Sequence, residues 1–176
     1  MKFKKGFTLL EILIVITVIV ILAVVILSSL SKSRERTYYG RVLSEFQTMD
    51  LALQMYKFDN NETYPADVNR DLPPGLEKYV TGGENENWPK APWPGSVYDW
   101  DNWPDPNNPD QRIYQISIRF CPLGGDISTC KFPKESWAQN FGVNSAVYYC
   151  IDGECRAHQY ESVNYPGYCV NCNESN

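Results

Sequence analysis

The sequence predicts an α+β protein in which one long N-terminal helix packs on a small C-terminal antiparallel sheet with disulfide-stapled loops. Three observations predict this fold. An apolar run begins near the N-terminus, an apolar stripe of helical period follows it, and all six cysteines fall in the last third of the chain, among alternating strand patterns. The 176 residues are enough for one globular domain and an anchor.

The apolar run covers residues 7–30, and its only charged residue is Glu11, near its start. A helix of this length, rising about 1.5 Å per residue, can cross roughly 30 Å of hydrocarbon. The lysines that precede the run favour a cytoplasmic N-terminus and an exported C-terminal part. The sequence therefore predicts a single-pass membrane protein in which the first half of the long helix is embedded in the membrane.

Two ordinary explanations of this run leave features unexplained. A cleaved signal peptide has an apolar region of about 7–15 residues followed by a small-residue cleavage site, whereas this run is longer and Ser28-Ser29 offers only a poor site. A plain signal anchor fits the length but does not explain Glu11, because a carboxylate in a bilayer costs roughly 2.5–3.5 kcal/mol. Snorkelling of Glu11 to the lipid headgroups is a further alternative.

A third explanation rests on the stretch Gly6-Phe7-Thr8-Leu9-Leu10-Glu11, which resembles the class III signal sequence of type IV prepilins and pseudopilins. The resemblance implies that residues 1–6 are a leader, that a prepilin peptidase cuts between Gly6 and Phe7, and that Phe7 becomes N-methylated. It also implies a pilin-like fold and a structural subunit of a helical filament. There, Glu11 would pair with the α-amine of Phe7 on a neighbouring subunit, since neither charge is stable alone when buried.

The resemblance also implies partners. These are further copies of the chain or minor and major pilin subunits, the prepilin peptidase, a platform membrane protein, an assembly ATPase, and membrane lipids before assembly. Nucleic acid is disfavoured, because 13 basic residues accompany 21 acidic residues from Phe7 onward. The expected filament is a type IV pilus. A major-type pseudopilin of type II secretion and a membrane-anchored glycan- or ligand-binding module are the alternatives.

The helix is predicted to continue to about Phe58, because no proline occurs before Pro65. Residues 31–59 form an amphipathic half with an apolar stripe at spacings of three and four, which predicts packing against the head. The stripe consists of Tyr39, Val42, Leu43, Phe46, Met49, Leu53 and Tyr56. The helix end, ALQMYKFDNNETYP, resembles that of major pseudopilins of type II secretion.

Residues 60–111 predict a connector, because nine of the twelve prolines and four of the five tryptophans lie there. One short helix is expected near residues 75–80. The sheet head is assigned to residues 112–176, with strand patterns at 97–100, 112–120 and 146–150. The four tryptophans either pack the connector onto the head or form a glycan-binding platform. They are Trp88, Trp93, Trp100 and Trp103.

The cysteines predict disulfides in an exported domain. Cys150 and Cys155 flank the turn signal Asp152-Gly153, which predicts a hairpin and Cα atoms about 4.5 Å apart. Cys121 and Cys130 bracket a glycine-containing loop that one bridge would close, and Cys169 and Cys172 remain as the third pair. A redox Cys-x-x-Cys site and a zinc site are disfavoured, the latter because of the spacing between the pairs and the exported setting.

No constellation of catalytic residues is recognisable, so the sequence does not predict an enzyme. His158 is the only histidine, and no glycine-rich phosphate loop follows a strand. An acidic loop offers oxygen ligands that suit Ca²⁺, with a solvated polar loop as the alternative. These ligands would be Asp99, Asp101, Asp105 and Asp110. No other cofactor is expected.

Overall fold

A computed structural model describes residues 8–80, 88–153, 155 and 166–172. Its elements are α1 (Leu9–Asp59), β1 (Val97–Pro104), β2 (Arg112–Arg119), β3 (Ala146–Asp152) and β4 (Tyr168–Cys169), with 3₁₀ turns at Ile127–Thr129 and Ser136–Ala138. The chain divides into two compact units, Met1–Thr37 and Tyr38–Asn176.

In the first unit, α1 is apolar on all sides from Ile12 to Leu27, apart from Thr17. The large apolar side chains of this unit are exposed throughout, from Leu30 at 48% to Leu9 at 85%. A helix that is apolar all round belongs either in a protein core or in a membrane. Among the described residues, α1 alone is long and apolar enough to cross a membrane, by length and composition. The structure thus offers this segment no protein core of its own.

In the second unit, α1 carries the predicted stripe. Val42, Phe46, Met49 and Leu53 are buried, and Ala52 joins them. The remaining members, Tyr39, Leu43 and Tyr56, are half-buried. The ring of Phe46 lies 5.8 Å from that of Tyr98 on β1 and 5.4 Å from that of Tyr149 on β3. The stripe therefore packs on the sheet, as the spacing predicted.

The sheet has four strands in the order β1-β2-β3-β4. β1 and β2 pair antiparallel from Val97↔Arg119 to Pro104↔Arg112, and β2 pairs antiparallel with β3. β4 is the exception, since it pairs parallel with β3. The three strand patterns are confirmed. The two-residue β4 was not predicted, because two residues are too few to show a period.

Alternation separates the two faces of the sheet. Residues facing α1 are apolar and share one core cluster with the stripe, namely Tyr98, Trp100, Ile116, Ile118 and Val147. The intervening residues of β1 and β2 face the other side and are polar although buried, namely Asp99, Asp101, Gln115, Ser117 and Arg119. Because side chains alternate along a strand, one sheet thus carries an apolar face and a buried polar face.

Two expectations for the connector need correction. β1 lies within residues 60–111, so the sheet begins before residue 112. The segment at 75–80 is not a helix but two turns, closed by bonds from Leu76 N–H to the Pro73 carbonyl and from Tyr79 N–H to the Leu76 carbonyl. Gly75 has a φ of +89°, a left-handed conformation that interrupts a right-handed helix.

The tryptophans pack the connector onto the head. Trp93 is 3% exposed and Trp100 is fully buried, whereas Trp88 and Trp103 are half-buried. The Trp100 indole donates to the Pro65 carbonyl at 3.1 Å, which ties the start of the connector to β1. A platform for sugar rings needs exposed aromatic faces, and two of the four candidates offer none.

Phe46 and Phe58 give a matched test of the stripe, because they lie on one helix at 0% and 80% exposure. We expect Phe46→Ala to lower the free energy of unfolding by roughly 3–5 kcal/mol, through lost burial and a residual cavity. Phe58→Ala should change it by less than about 0.5 kcal/mol. Denaturant unfolding of the detergent-solubilised chain, followed by near-UV circular dichroism, measures both. Equal losses would contradict the packing described.

Candidate functional site

The predicted assembly residue Glu11 lies in the first turn of α1 and forms a capping box with Thr8. Glu11 Oε2 accepts hydrogen bonds from Thr8 N–H at 2.7 Å and from the Thr8 hydroxyl at 2.9 Å, while Glu11 N–H donates to Thr8 Oγ1 at 3.2 Å. In this motif each side chain satisfies a backbone donor that the helix start leaves unpaired. This capping role was not predicted, although Thr-x-x-Glu is its sequence signature.

The capping box fixes Glu11 close to the predicted cleavage point. Gly6 and Phe7 lie outside the described residues, but the amide nitrogen of Thr8, which donates to Glu11, is the one bonded to Phe7. Both contacts from Thr8 go to Oε2, and within residues 8–80 and the other described segments Oε1 accepts no hydrogen bond. The carboxylate therefore caps its own helix through Oε2.

Within the head, Asp99 and Asp101 share the guanidinium of Arg119. Arg119 Nε lies 3.0 Å from Asp99 Oδ2, and Nη2 lies 3.1 Å from Asp101 Oδ1. Asp101 Oδ2 also accepts from Gln115 Nε2 and Ser117 Oγ, each at 2.9 Å. The β1–β2 register brings these residues together, because Asp99 lies opposite Ser117 and Asp101 opposite Gln115.

The environment of Asp99 shifts its titration. Burial raises the pKa of the Asp99 carboxyl to about 6, and repulsion from Asp101 adds to the effect, while Arg119 opposes it. The backbone N–H of Arg70 also donates to Asp99 Oδ1 at 2.6 Å. Two buried carboxylates beside one guanidinium leave one negative charge in excess. This excess, together with burial, explains why the pKa of Asp99 is raised.

The four predicted calcium ligands do not form one site. Asp99 and Asp101 are engaged by Arg119, whereas Asp105 and Asp110 lie in the loop between β1 and β2. Asp105 is buried, and its Oδ1 accepts from the N–H of Asn107 at 2.8 Å. In the described part of the chain, no three carboxylates lie within metal-binding distance of one another. Calcium binding by this loop alone stays a prediction.

Comparison with known proteins identifies the class of filament subunit. Residues 1–27 match the model of the prokaryotic N-terminal methylation motif. The type II secretion system core protein G of Klebsiella pneumoniae is 33% identical over 106 residues, which cover 56% of this chain and 74% of the relative. The chain belongs to the core protein G family. Core protein G of Aeromonas hydrophila is 35% identical over 103 residues, covering 54% of this chain and 71% of the relative.

The similarity recurs in other members. Core protein G of Vibrio cholerae serotype O1 is 32% identical over 107 residues, which cover 57% of this chain and 72% of the relative. No solved structure gives a significant match. The predicted resemblance to pilins and pseudopilins is confirmed, and so is its consequence, that this core protein G homologue is a pilin-like filament subunit rather than an enzyme.

The six cysteines of this core protein G homologue are joined in pairs. Cys121 bonds Cys130, Cys150 bonds Cys155, and Cys169 bonds Cys172, with Cα separations of 4.2, 5.6 and 5.5 Å. These are the pairings that the sequence favoured. The value for Cys150 and Cys155 exceeds the expected 4.5 Å, so the two residues are not directly opposed as a non-hydrogen-bonded pair.

Two further predictions fall outside the described residues. Glu154 is needed to complete the predicted hairpin, and the structure does not describe it, although Gly153 has the positive φ of +74° that suits a tight turn. His158, the only histidine, also lies outside the described part of the chain.

Replacing Arg119 tests the buried polar face. We expect Arg119→Met to lower the free energy of unfolding by roughly 3–5 kcal/mol, because it leaves Asp99 and Asp101 buried without a cation. Adding Asp99→Asn should recover part of the loss by removing one of the two negative charges. The measurement is denaturant unfolding at neutral pH.

The matched control is Arg41→Met, which removes a half-exposed pair with Glu45. It should cost about 1 kcal/mol or less. If Arg119→Met were no more costly than this control, or if Asp99→Asn brought no recovery, the assigned network would be wrong.

Proposed function

We propose that this chain is cleaved after Gly6, N-methylated at Phe7 and drawn from the membrane into a helical filament of the pseudopilus type. The exposed apolar segment of α1 that carries Glu11 is the observation on which the proposal rests. In the membrane this segment is surrounded by lipid. In a filament, other copies of the same segment replace the lipid.

Glu11 gives this assembly its register. Cleavage creates an α-amine at Phe7, and a buried amine needs a counter-charge. The capping box leaves Glu11 Oε1 for a donor from outside the subunit. Pairing with the amine of a neighbouring subunit neutralises both charges at once. Without this carboxylate, the apolar helices of neighbouring copies would have no comparable preference for one axial position relative to each other.

The proposed partners follow from this route. A prepilin peptidase removes the leader, and a platform membrane protein with an assembly ATPase extracts the subunit from the lipid. The basic leader places the N-terminus in the cytoplasm and the head on the exported side. The three disulfides suit an oxidising compartment on that side. Further copies and minor subunits complete the filament.

The similarity to type II secretion system core protein G supports a type II secretion pseudopilus. A surface type IV pilus is the second candidate, and the observation that favours it is the head with its three disulfides. Such cross-links stabilise a small domain against unfolding outside the cell.

Mass spectrometry of the N-terminus distinguishes these outcomes, on protein from sheared surface material and, separately, from membranes. We expect N-methylated Phe7 in the membrane fraction, as a pseudopilus subunit requires. The same N-terminus in abundance in the sheared fraction would instead identify a surface pilus. An intact Met1 in both fractions would contradict processing and leave a plain membrane anchor.

Glu11 variants separate charge pairing from helix capping. A glutamine at the third helical position can still accept the capping hydrogen bonds, but it carries no charge. We therefore expect Glu11→Gln to abolish filament formation as completely as Glu11→Ala does. Thr8→Val, which removes the hydroxyl of the capping box and keeps the charge, should still assemble.

Filament formation is measured by cross-linking between subunits, with membrane insertion of each variant as the control. Normal assembly of Glu11→Gln would show that the negative charge is not required. Failure of Thr8→Val with intact membrane insertion would show that capping matters more than pairing.

A further inference from the structure

Two of the three disulfides lie against each other beside β3. Cys150 Sγ is 3.4 Å from Cys172 Sγ and 3.8 Å from Cys169 Sγ, and these three sulfur atoms lie within 4.8 Å of one another. Cys155 is buried in the same small cluster, with Ala146 and Tyr148. The third disulfide, Cys121–Cys130, does not belong to it. Three sulfur atoms from two segments of the chain are thus gathered in one place, and Cys155 is joined to them by its disulfide with Cys150.

The distances between the two disulfides match those of a metal site. Zinc binds thiolate sulfur at about 2.3 Å, and a tetrahedron with bonds of that length has sulfur–sulfur edges of roughly 3.8 Å. The contacts of 3.4 and 3.8 Å are close to this value. Within each pair, the cysteines are separated by four and by two residues, a range that is typical of zinc ligands.

Hydrogen bonds hold the two segments together independently of the disulfides. Asn171 lies between Cys169 and Cys172, and its side-chain amide clamps the backbone of Cys150. Asn171 Oδ1 accepts from Cys150 N–H at 2.8 Å, and Nδ2 donates to the Cys150 carbonyl at 2.8 Å. Val170 N–H donates to the Tyr148 carbonyl at 2.9 Å. These hydrogen bonds therefore hold Cys150 beside the segment of Cys169 and Cys172 without help from either disulfide, whereas Cys155 is joined to the cluster by its bond to Cys150.

One bond in the cluster also favours a thiolate. The N–H of Cys172 donates to Cys169 Sγ at 3.0 Å. A donor directed at sulfur stabilises the charged form of a thiol, which is the form that binds metal. Cys150, Cys169 and Cys172 are half-buried, whereas Cys155 is buried.

We propose that Cys150, Cys155, Cys169 and Cys172 bind one zinc-class divalent cation in the reduced chain and form two disulfides in the oxidised chain. The sequence disfavoured zinc because of the spacing between the pairs and the exported setting. The parallel pairing of β4 with β3 removes the first objection, because it brings Cys169 beside Tyr148 in the sheet. The second objection does not apply to the reduced chain, which is the state proposed to bind the cation. The metal would let the end of the head fold before its disulfides form, since binding energy is folding energy at such sites.

The two states differ by four electrons. Each disulfide is reduced by one phosphine molecule, which becomes the phosphine oxide. Water supplies its oxygen atom and the protons of the two thiols. Binding of the cation then releases the four thiol protons as the thiolates coordinate. Oxidation of the metal-bound form uses two molecules of a small-molecule disulfide. The four thiolates become two protein disulfides, the reagent takes up four electrons and four protons to give four thiols, and the ion is freed.

The test uses the full chain in detergent, reduced by a phosphine, stripped of metal and kept without oxygen. Co²⁺ is the probe, because thiolate-bound tetrahedral Co²⁺ absorbs visible light. We expect one Co²⁺ per chain, displaced by Zn²⁺. Alkylation followed by mass spectrometry should show that Zn²⁺ protects the four clustered cysteines, while Cys121 and Cys130 react freely. This readout needs no variant to fold.

Variants locate the site. Cys169→Ser and Cys172→Ser should each lose the absorption, whereas the double change Cys121→Ser with Cys130→Ser should keep it. Asn171→Ala should weaken Co²⁺ binding roughly 10-fold at unchanged stoichiometry, as the loss of an outer-shell partner does. No absorption, equal protection of all six cysteines, or loss of binding in the Cys121/Cys130 variant would each overturn the proposal.

Discussion

The packing of the α1 stripe on the sheet is the interaction on which the rest of the head depends. Phe46 lies between β1 and β3, in contact with Tyr98 and Tyr149, so one helix residue joins strands that are not neighbours in the sheet. The helix supplies an extended apolar surface opposite this face of the sheet. Without it, the apolar side chains of a four-stranded sheet would face water, at about 25 cal/mol per Å² of exposed apolar area.

The opposite face of the sheet is organised by charge. Burying Arg119 with Asp99 and Asp101 costs desolvation energy that an apolar face would not incur, and the ion pairs and hydrogen bonds offset that cost only when all partners are present. The chain around residue 70 closes over this network through the Arg70 N–H bond to Asp99. The polar face therefore holds the connector against the sheet at residue 70. Prolines and turns in the connector do not by themselves determine this position.

The same helix serves two environments, and its sequence changes accordingly. From Ile12 to Leu27 it is apolar on all sides, and from Val42 to Leu53 it is apolar on one side. At the start of this helix, Glu11 Oε2 caps the first turn through Thr8. At the other edge of the sheet, the hydrogen bonds of Val170 and Asn171 tie the short β4 to β3.

The sequence by itself determined the helix, the three longer strands and the family, because each is encoded in local patterns. Apolar residues spaced three and four apart predicted the stripe of α1, and alternation of apolar and polar residues predicted β1 to β3. The stretch from Gly6 to Glu11 gave the resemblance to the family. The tertiary structure was needed to show that Arg119 forms ion pairs with Asp99 and Asp101, two of the predicted calcium ligands. It was also needed to show that β4 brings two disulfides into contact. Both depend on strand register and on pairing between distant residues, and no local period records which side chains will meet across a sheet.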